Sequence, residues 1–226
     1  MEPTRWPGVF REGRDLYTRN RRPGERVYGE DLRIADGVEY RRWDPFRSKF
    51  AAMLLKGAPA EVGRDVRSVL YLGGAHGTTV SHLSDAWPDA DLYVIEKSPA
   101  SFAPLLALAR RRANVLPFLA DAQLPERYAA DVGWVDFLYQ DVAQRNQVAI
   151  FVENARTCLA PGGAGVLMLK VRSVTQRRPA PAVVREARAE IARSGFTIRG
   201  EVGLEPFSKE HVALVLASSP SPSIAR

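Results

Sequence analysis

From residue 66 onward, short apolar runs alternate with longer stretches in which apolar residues return every three or four positions. The runs "SVLYLG" (68–73), "DLYVIE" (91–96), "NVLPFLAD" (114–121), "WVDFLYQD" (134–141) and "GVLMLKV" (165–171) read as strands. The helices between them begin near Thr78, Pro99 and Asn146, then near Ala182. This alternation predicts an α/β unit, a parallel sheet wrapped by helices through right-handed crossovers. The end breaks the rhythm. "FTIRGEVGLEPF" and "HVALVLAS" are two strands with only "PFSKE" to join them, so the last strand is expected to run antiparallel to its neighbours. "SPSPSIAR" reads as a frayed tail.

Upstream the pattern is different. Residues 1 to about 43 hold short alternating stretches such as "RVYGEDLRIADGVEYRRW", with turn signals in "GED" and "ADG", which predict small antiparallel hairpins. "WDPFRSKFAAMLLKG" then reads as a helix capped by Asp44, with Pro45 in its first position and Gly57 at its end. "APAEVGRD" reads as a linker. The chain is thus expected to comprise a small β-rich region, 1–56, ending in a helix, and a larger unit, 57–226.

Composition changes this picture little. The 46% hydrophobic and 26% charged content is that of an ordinary globule, and no apolar run approaches the roughly 20 residues of a membrane span. "MEPTRWPGVF" lacks the apolar core of a signal peptide. A single cysteine, Cys158, excludes an internal disulfide and fits a cytoplasmic protein with no membrane partner. The formal charge of +6 favours a polyanionic partner without requiring one. Of the 32 basic residues only Lys49, Lys56, Lys97, Lys170 and Lys209 are lysine. In so arginine-rich a chain, a lysine at a constrained position is a candidate for proton chemistry, because an ammonium releases its proton and a guanidinium does not. No His or Cys spacing suggests a metal.

The strand-to-helix junction "LGGAHGTT" places Gly73, Gly74 and Gly77 where a doubly wound sheet brings its backbone close to a ligand. By itself such a turn is also a simple tight connection, and its spacing is not the G-x-G-x-x-G of dinucleotide folds. The next strands sharpen the choice. They finish in Glu96, in Asp121 followed by Ala122, and in Asp141, so three consecutive strands bring a carboxylate to one edge. Each alone is explicable as a helix cap. Together they repel a diphosphate and suit a cationic nucleoside, of which S-adenosylmethionine is one.

With these residues assembled, the chain resembles the archaeal fibrillarins, ribose 2'-O-methyltransferases of box C/D guide-RNA particles. The resemblance rests on "VYGED", "YRRWDPFRSKFAA", "VLYLGGAHGTTVSHLSD", "FLADAQLPERY", "YQDVAQRNQ", "PGG" with "LKVRS", and "LEPFSKEHV". It implies a Rossmann-like S-adenosylmethionine-dependent methyltransferase fold, seven-stranded with the last strand antiparallel, behind a small β-rich N-terminal region. It implies that the cofactor is held by Gly73, Gly77, Thr78, Thr79, Glu96, Lys97, Asp121, Ala122, Asp141, Val142, Ala143 and Gln144. A Lys-Asp-Lys-His catalytic set falls on Lys49, Asp141, Lys170 and His211. It further implies rRNA or tRNA as substrate, and a Nop-type scaffold protein, a box C/D guide RNA and, through the assembled particle, a kink-turn-binding protein as partners. Two departures stand out. The turn reads "GGAHG" where relatives carry "GAASG", and Lys97 stands where an aromatic residue commonly packs beside the adenosine.

The catalytic set makes chemical sense. Methyl transfer from a sulfonium needs an in-line arrangement and a group that takes the hydroxyl proton. A lysine does this only where burial and nearby positive charge lower its pKa to about 7 to 8. Lys170, ending an apolar strand near the expected cofactor and Lys49, is read as that base, with Asp141 orienting it. Lys49, three residues after Phe46 and four before Met53, is expected to face the sheet. His211, at the start of an antiparallel last strand, comes to the same edge, where it can fix Asp141 or contact a phosphate. Arginines 19, 21, 22, 41, 42, 110–112, 177 and 178 are candidate phosphate contacts. The competing readings are a methyltransferase of the same fold with another substrate, a cofactor-binding RNP subunit without catalysis, and a dehydrogenase, the last disfavoured by the glycine spacing.

Overall fold

The computed structural model describes residues 1–218; the expected tail at 219–226 lies outside the described residues. Strands β1 (Glu2–Pro3), β2 (Val9–Glu12), β3 (Asp15–Arg19), β4 (Leu32–Ala35) and β5 (Val38–Trp43) form an antiparallel sheet in the order β1-β2-β3-β5-β4. The "ADG" signal is the β4–β5 hairpin turn, where Asp36 and Gly37 have φ of 50° and 74°. Two consecutive residues in the left-handed region give the turn whose twist suits a two-residue hairpin.

Helix α1 (Lys49–Leu55) starts later than its sequence suggests. Asp44 caps a preceding turn, accepting from the Phe46 amide at 2.9 Å, and the helix is capped by Ser48, whose hydroxyl accepts from the Ala51 amide. Pro45 and Phe46 therefore lie outside the helix. Phe46 is exposed rather than part of the apolar face.

The larger sheet follows: β6 (Ser68–Leu72), α2 (Thr78–Ala86), β7 (Asp91–Glu96), α3 (Pro99–Ala109), β8 (Val115–Leu119), a short α4 (Ala129–Val132), β9 (Val135–Gln140), α5 (Gln147–Cys158), β10 (Leu159–Lys170), a short α6 (Val171–Val174), α7 (Ala180–Arg193), β11 (Phe196–Gly203) and β12 (His211–Ser218). Strand order is β11-β12-β10-β9-β6-β7-β8, with β12 antiparallel to both neighbours. The chain runs outward from β6 through β8 and returns to lay β9 on the other side of β6. The order therefore reverses between β6 and β9, and in such sheets a ligand crevice opens there at the carboxyl ends.

Strand parity decides what faces that crevice. Alternate residues share a face, and Val69 and Tyr71 of β6, Phe137 and Tyr139 of β9, Val166 and Met168 of β10, and Ala213 and Val215 of β12 all lie in one core cluster. Continuing that parity, Asp141, Lys170 and His211 project from the same face. Helix α1 covers it, with Phe50 5.2 Å from Tyr139 and 6.3 Å from Phe137, and stacked on Trp43 at 5.6 Å.

The small sheet and helix α2 share buried polar groups. Arg41, fully buried on β5, donates to Glu30 at 2.6 Å, to Asp85 at 2.6 Å and to Ser81 at 2.9 Å, and Arg112 donates to Asp85 at 2.5 Å. Burial alone would raise the Glu30 carboxyl; Arg41 and the Val27 and Tyr28 amides overcome it and hold its pKa below the usual range. His82 lies fully buried between the Thr18 and Tyr28 hydroxyls, 2.8 Å from each, and stacked on Trp43 at 4.8 Å. Burial, then the charges of Arg41 and Arg112, put its pKa well below 6.5. Unfolding therefore takes up a proton below pH 6.5, while folding strength is full above it. Below that pH the unfolding free energy should fall by about 1.4 kcal/mol per pH unit for this residue. Denaturation between pH 7.5 and 5 is expected to show a smaller slope in His82→Gln than in the unsubstituted chain, and equal slopes would remove His82 as its source.

Candidate active site

At the reversal point the backbone is pressed together. Gly73 has φ of 86°, and a Cβ there would stand 2.5 Å from the Asp141 carbonyl oxygen. A Cβ on Gly74 would stand 2.2 Å from Val94 Cγ1. Only glycine lets the β6 exit pass between β7 and β9 while leaving its main chain open to a ligand.

Beside this seam lies a cavity of about 320 Å³ lined by Gly73, Ala75, Ile95, Glu96, Lys97, Ala120, Ala122, Asp141, Val142, Ala143 and Gln144. Larger recesses, of about 800 and 760 Å³ around Arg64 and Pro59 and about 620 Å³ beside Arg188, lie away from the gathered carboxylates. Within the smaller one, Glu96 accepts from the Ala75 amide at 2.9 Å and from the Ser98 amide at 2.8 Å. These bonds fix the carboxylate and leave each oxygen a second lone pair. Lys97 lies 3.8 Å from Asp121, which also accepts from the Gln123 amide at 3.0 Å. The lining thus offers an acid fit for vicinal hydroxyls, an apolar slot between Ile95, Ala120, Ala122 and Val142, and a second carboxylate, Asp141, for a cation.

Of the expected cofactor residues, Gly77, Thr78, Thr79 and Asp121 do not line this cavity. Gly77 caps α2 with φ of 88°, and a Cβ on it would meet Leu108 at 2.6 Å. The Thr78 carbonyl accepts from Ser81. Thr79 is buried, its hydroxyl 2.9 Å from that of Ser48. This contact ties the start of α2 to the cap of α1.

The four expected catalytic residues come together. Lys49 Nζ donates to both oxygens of Asp141, at 2.9 and 2.8 Å. Lys170 and His211 are register partners at the end of the β10–β12 ladder. The His211 pKa is lowered by burial, and the charges of Lys49, Asp141 and Lys170 all act on it. Its Nδ1 lies 2.7 Å from the Lys209 carbonyl and 3.0 Å from the Ser208 hydroxyl. A carbonyl only accepts, so Nδ1 carries hydrogen and the neutral ring keeps Nε2 as a free acceptor. Beneath the set, Tyr71 and Tyr139 meet edge to face at 4.6 Å. Burial and then the Asp141 charge raise both phenol pKa values, so this floor stays neutral.

Two expectations need correction. Asp141 is paired with Lys49, not with Lys170, and His211 bonds to its own loop rather than to Asp141. Register gives the reason: Leu167 pairs with Gln140, so Lys170 lies two residues farther along its strand than Asp141. That offset is roughly 7 Å. Arg41 and Arg112, read as phosphate contacts, are buried in the ion network described above and cannot meet RNA.

Gln147 was not foreseen. Fully buried at the start of α5, it accepts from the Lys170 amide at 2.9 Å and donates to the Lys170 carbonyl at 3.0 Å and to the Gln144 carbonyl at 3.0 Å. Its amide acts as an extra rung beyond the end of β9, joining Lys170 to the cavity wall. The signal available was a glutamine opening an otherwise apolar helix face.

The family model described as Fibrillarin matches residues 1–220. The chain belongs to the fibrillarin family. A fibrillarin-like rRNA/tRNA 2'-O-methyltransferase of Methanothermobacter thermautotrophicus is 41% identical over 209 residues, covering 92% of this chain and 93% of that one. The mouse rRNA 2'-O-methyltransferase fibrillarin is 38% identical over 99% of this chain and 71% of its own length. Among solved structures, Aeropyrum pernix fibrillarin with natively bound S-adenosyl-L-methionine superposes with a TM-score of 0.86 at 38% identity, covering 95% of this chain and 96% of that one. The structure of a fibrillarin/Nop5p complex gives 0.84 at 36% identity, covering 97% and 100%. An O-methyltransferase family protein of Burkholderia thailandensis, 14% identical with a TM-score of 0.57, shares the fold alone. Fibrillarin membership thus joins a methyltransferase fold to the cavity and the Lys49–Asp141 pair at its mouth.

Proposed function

We propose that this chain is an S-adenosylmethionine-dependent ribose 2'-O-methyltransferase acting on rRNA or tRNA. The observation that carries this reading is the convergence of Lys49, Asp141, Lys170 and His211 on one face beside the cavity at the sheet's reversal point. Residues 1–56 serve as the region that delivers Lys49, and residues 57–226 as the methyltransferase unit. The partners are a Nop-type scaffold protein, a box C/D guide RNA that selects the nucleotide, and a kink-turn-binding protein in the same particle. The expected cellular site is the cytoplasm. No helix among the described residues is long and apolar enough to cross a membrane.

The cavity fits the cofactor by its glycine seam, its Glu96 carboxylate and its apolar slot. When bound, S-adenosylmethionine would supply the sulfonium-borne methyl group for a ribose oxygen. Asp141 lies at the end of the cavity suited to the cation, and holds Lys49 by two bonds. Lys49 thereby presents an amine at the mouth, beside the place of the incoming hydroxyl. Lys170 takes the hydroxyl proton, and Gln147 fixes its main chain. His211 stays neutral, adding no further positive charge to the edge and keeping Nε2 free for the substrate.

Labelled S-adenosylmethionine, incubated with this chain, the partner proteins, a guide and its target RNA, should place label on a ribose 2'-oxygen. Label on a base, on protein or on a small molecule would overturn the reading. Lys97 gives a separate prediction. It brings an ammonium to the adenosine wall where a ring would stack, so Lys97→Phe is expected to tighten cofactor binding by about 2- to 10-fold. Calorimetric titration checks this, and unchanged affinity would show that residue 97 does not face the adenosine.

A further inference from the structure

The rim of the catalytic edge carries an aromatic pair that the chemistry above does not use. Phe46 is 66% exposed, and its ring meets Phe207 edge to face with centroids 5.1 Å apart. Both rings stand on ordered turns. Phe46 sits in the turn closed by the Arg47 amide on the Asp44 carbonyl at 3.1 Å, two residues before the Ser48 cap and three before Lys49. Phe207 sits between β11 and β12, where the Phe207 and Ser208 amides bond to the Leu204 carbonyl at 2.9 and 3.1 Å. The next residue, Ser208, bonds to His211. The pair therefore bridges the two segments that carry Lys49 and His211, at the outer limit of the site.

Resting on the ribose-methylation reading, we propose that Phe46, braced by Phe207, is a stacking platform for a nucleobase of the target RNA strand. The first support is chemical. The base and the 2'-oxygen sit on adjacent ribose carbons, so a ribose held at this edge brings its own base, or a neighbour's, to the rim. The second is electrostatic. Arg47 and Lys209, one and two residues after the two phenylalanines, are exposed and have no ion-pair partner among the described residues. Nearby Arg172, by contrast, is neutralised by Glu210 at 2.5 Å. An aromatic surface flanked by Lys209 and by Arg47, whose guanidinium lies 5.9 Å over the Tyr28 ring with no carboxylate to neutralise it, suits a base with phosphates on either side. Stacking tolerates any base, as an enzyme must when pairing elsewhere selects its target.

The plain alternative is that the two rings only staple the turns together, and Phe46→Leu separates the cases. It keeps apolar contact with Phe207 and removes the π face. In the particle assembled with scaffold protein, kink-turn-binding protein, guide RNA and complementary target RNA, Phe46→Leu is expected to raise the KM for target RNA by roughly 5- to 100-fold. Phe46→Trp should restore it, and the melting temperature and cofactor affinity should not move. With p-benzoylphenylalanine at position 46, irradiation should crosslink the chain to the target strand. An unchanged KM in Phe46→Leu, or a crosslink to the scaffold protein alone, overturns the platform while the unsubstituted particle still methylates ribose. An unsubstituted particle that labels no ribose refutes the enzymatic reading, and the platform with it.

Discussion

In the assembled particle, Lys170→Ala is expected to transfer methyl groups to target ribose about 10²- to 10⁴-fold more slowly than the unsubstituted chain, the usual worth of a positioned general base. Cofactor affinity should hold, because Lys170 lies about two residues of strand beyond Asp141 and does not line the cavity. Lys170→Arg is the sharper variant. It keeps the charge and most of the length but cannot give up a proton, so it should be as slow as alanine. Single-turnover rates at saturating cofactor decide the matter. A Lys170→Ala particle working at the unsubstituted rate would move the proton to another group, and His211, with a free Nε2, would be the first to test.

A second large effect is expected far from the chemistry. Arg41→Met should lower the unfolding free energy by about 3–5 kcal/mol, the cost of leaving buried carboxylates without their cation. For a chain of this size that corresponds to a fall in melting temperature on the order of 10 °C. Arg41 is fully buried and serves Glu30, Asp85 and Ser81 at once, so only Arg112 remains to balance two acids. Arg41→Lys should fare little better, since one ammonium lacks the planar fork that spans the three partners. Calorimetry of the purified variants checks this, and a loss below about 1 kcal/mol would mean that the network relaxes or admits water.

The sequence disclosed the sheet well, for a physical reason. Parallel strands buried on both faces must be apolar runs, and "DLYVIE" coincides with β7 end to end. The approximate starts of the long helices and the antiparallel last strand were also legible. The beginning of α1 was not, because Asp44 and Pro45 carry the chemistry of a helix start, and a turn before the Ser48 cap uses the same chemistry. The gathering of Lys49, Asp141, Lys170 and His211 was legible from motifs and strand ends, but their partners were not. Which amine reaches Asp141 depends on register between β9 and β10, and local pattern does not encode register. Arg41 was misread for a similar reason. An arginine in an alternating strand looks solvent-facing until the helix that covers it is known.

The hydroxyl contact between Ser48 and Thr79 gives this architecture a practical corollary. It joins the cap of the helix that bears one amine to the helix that opens from the glycine seam. A protein engineer who trimmed the chain at residue 57 to obtain a minimal methylase would keep the whole seven-stranded scaffold. The shortened product would nonetheless be left with an acid facing open water and an unlatched lip, so grafting or miniaturisation schemes must carry the first 56 residues as cargo.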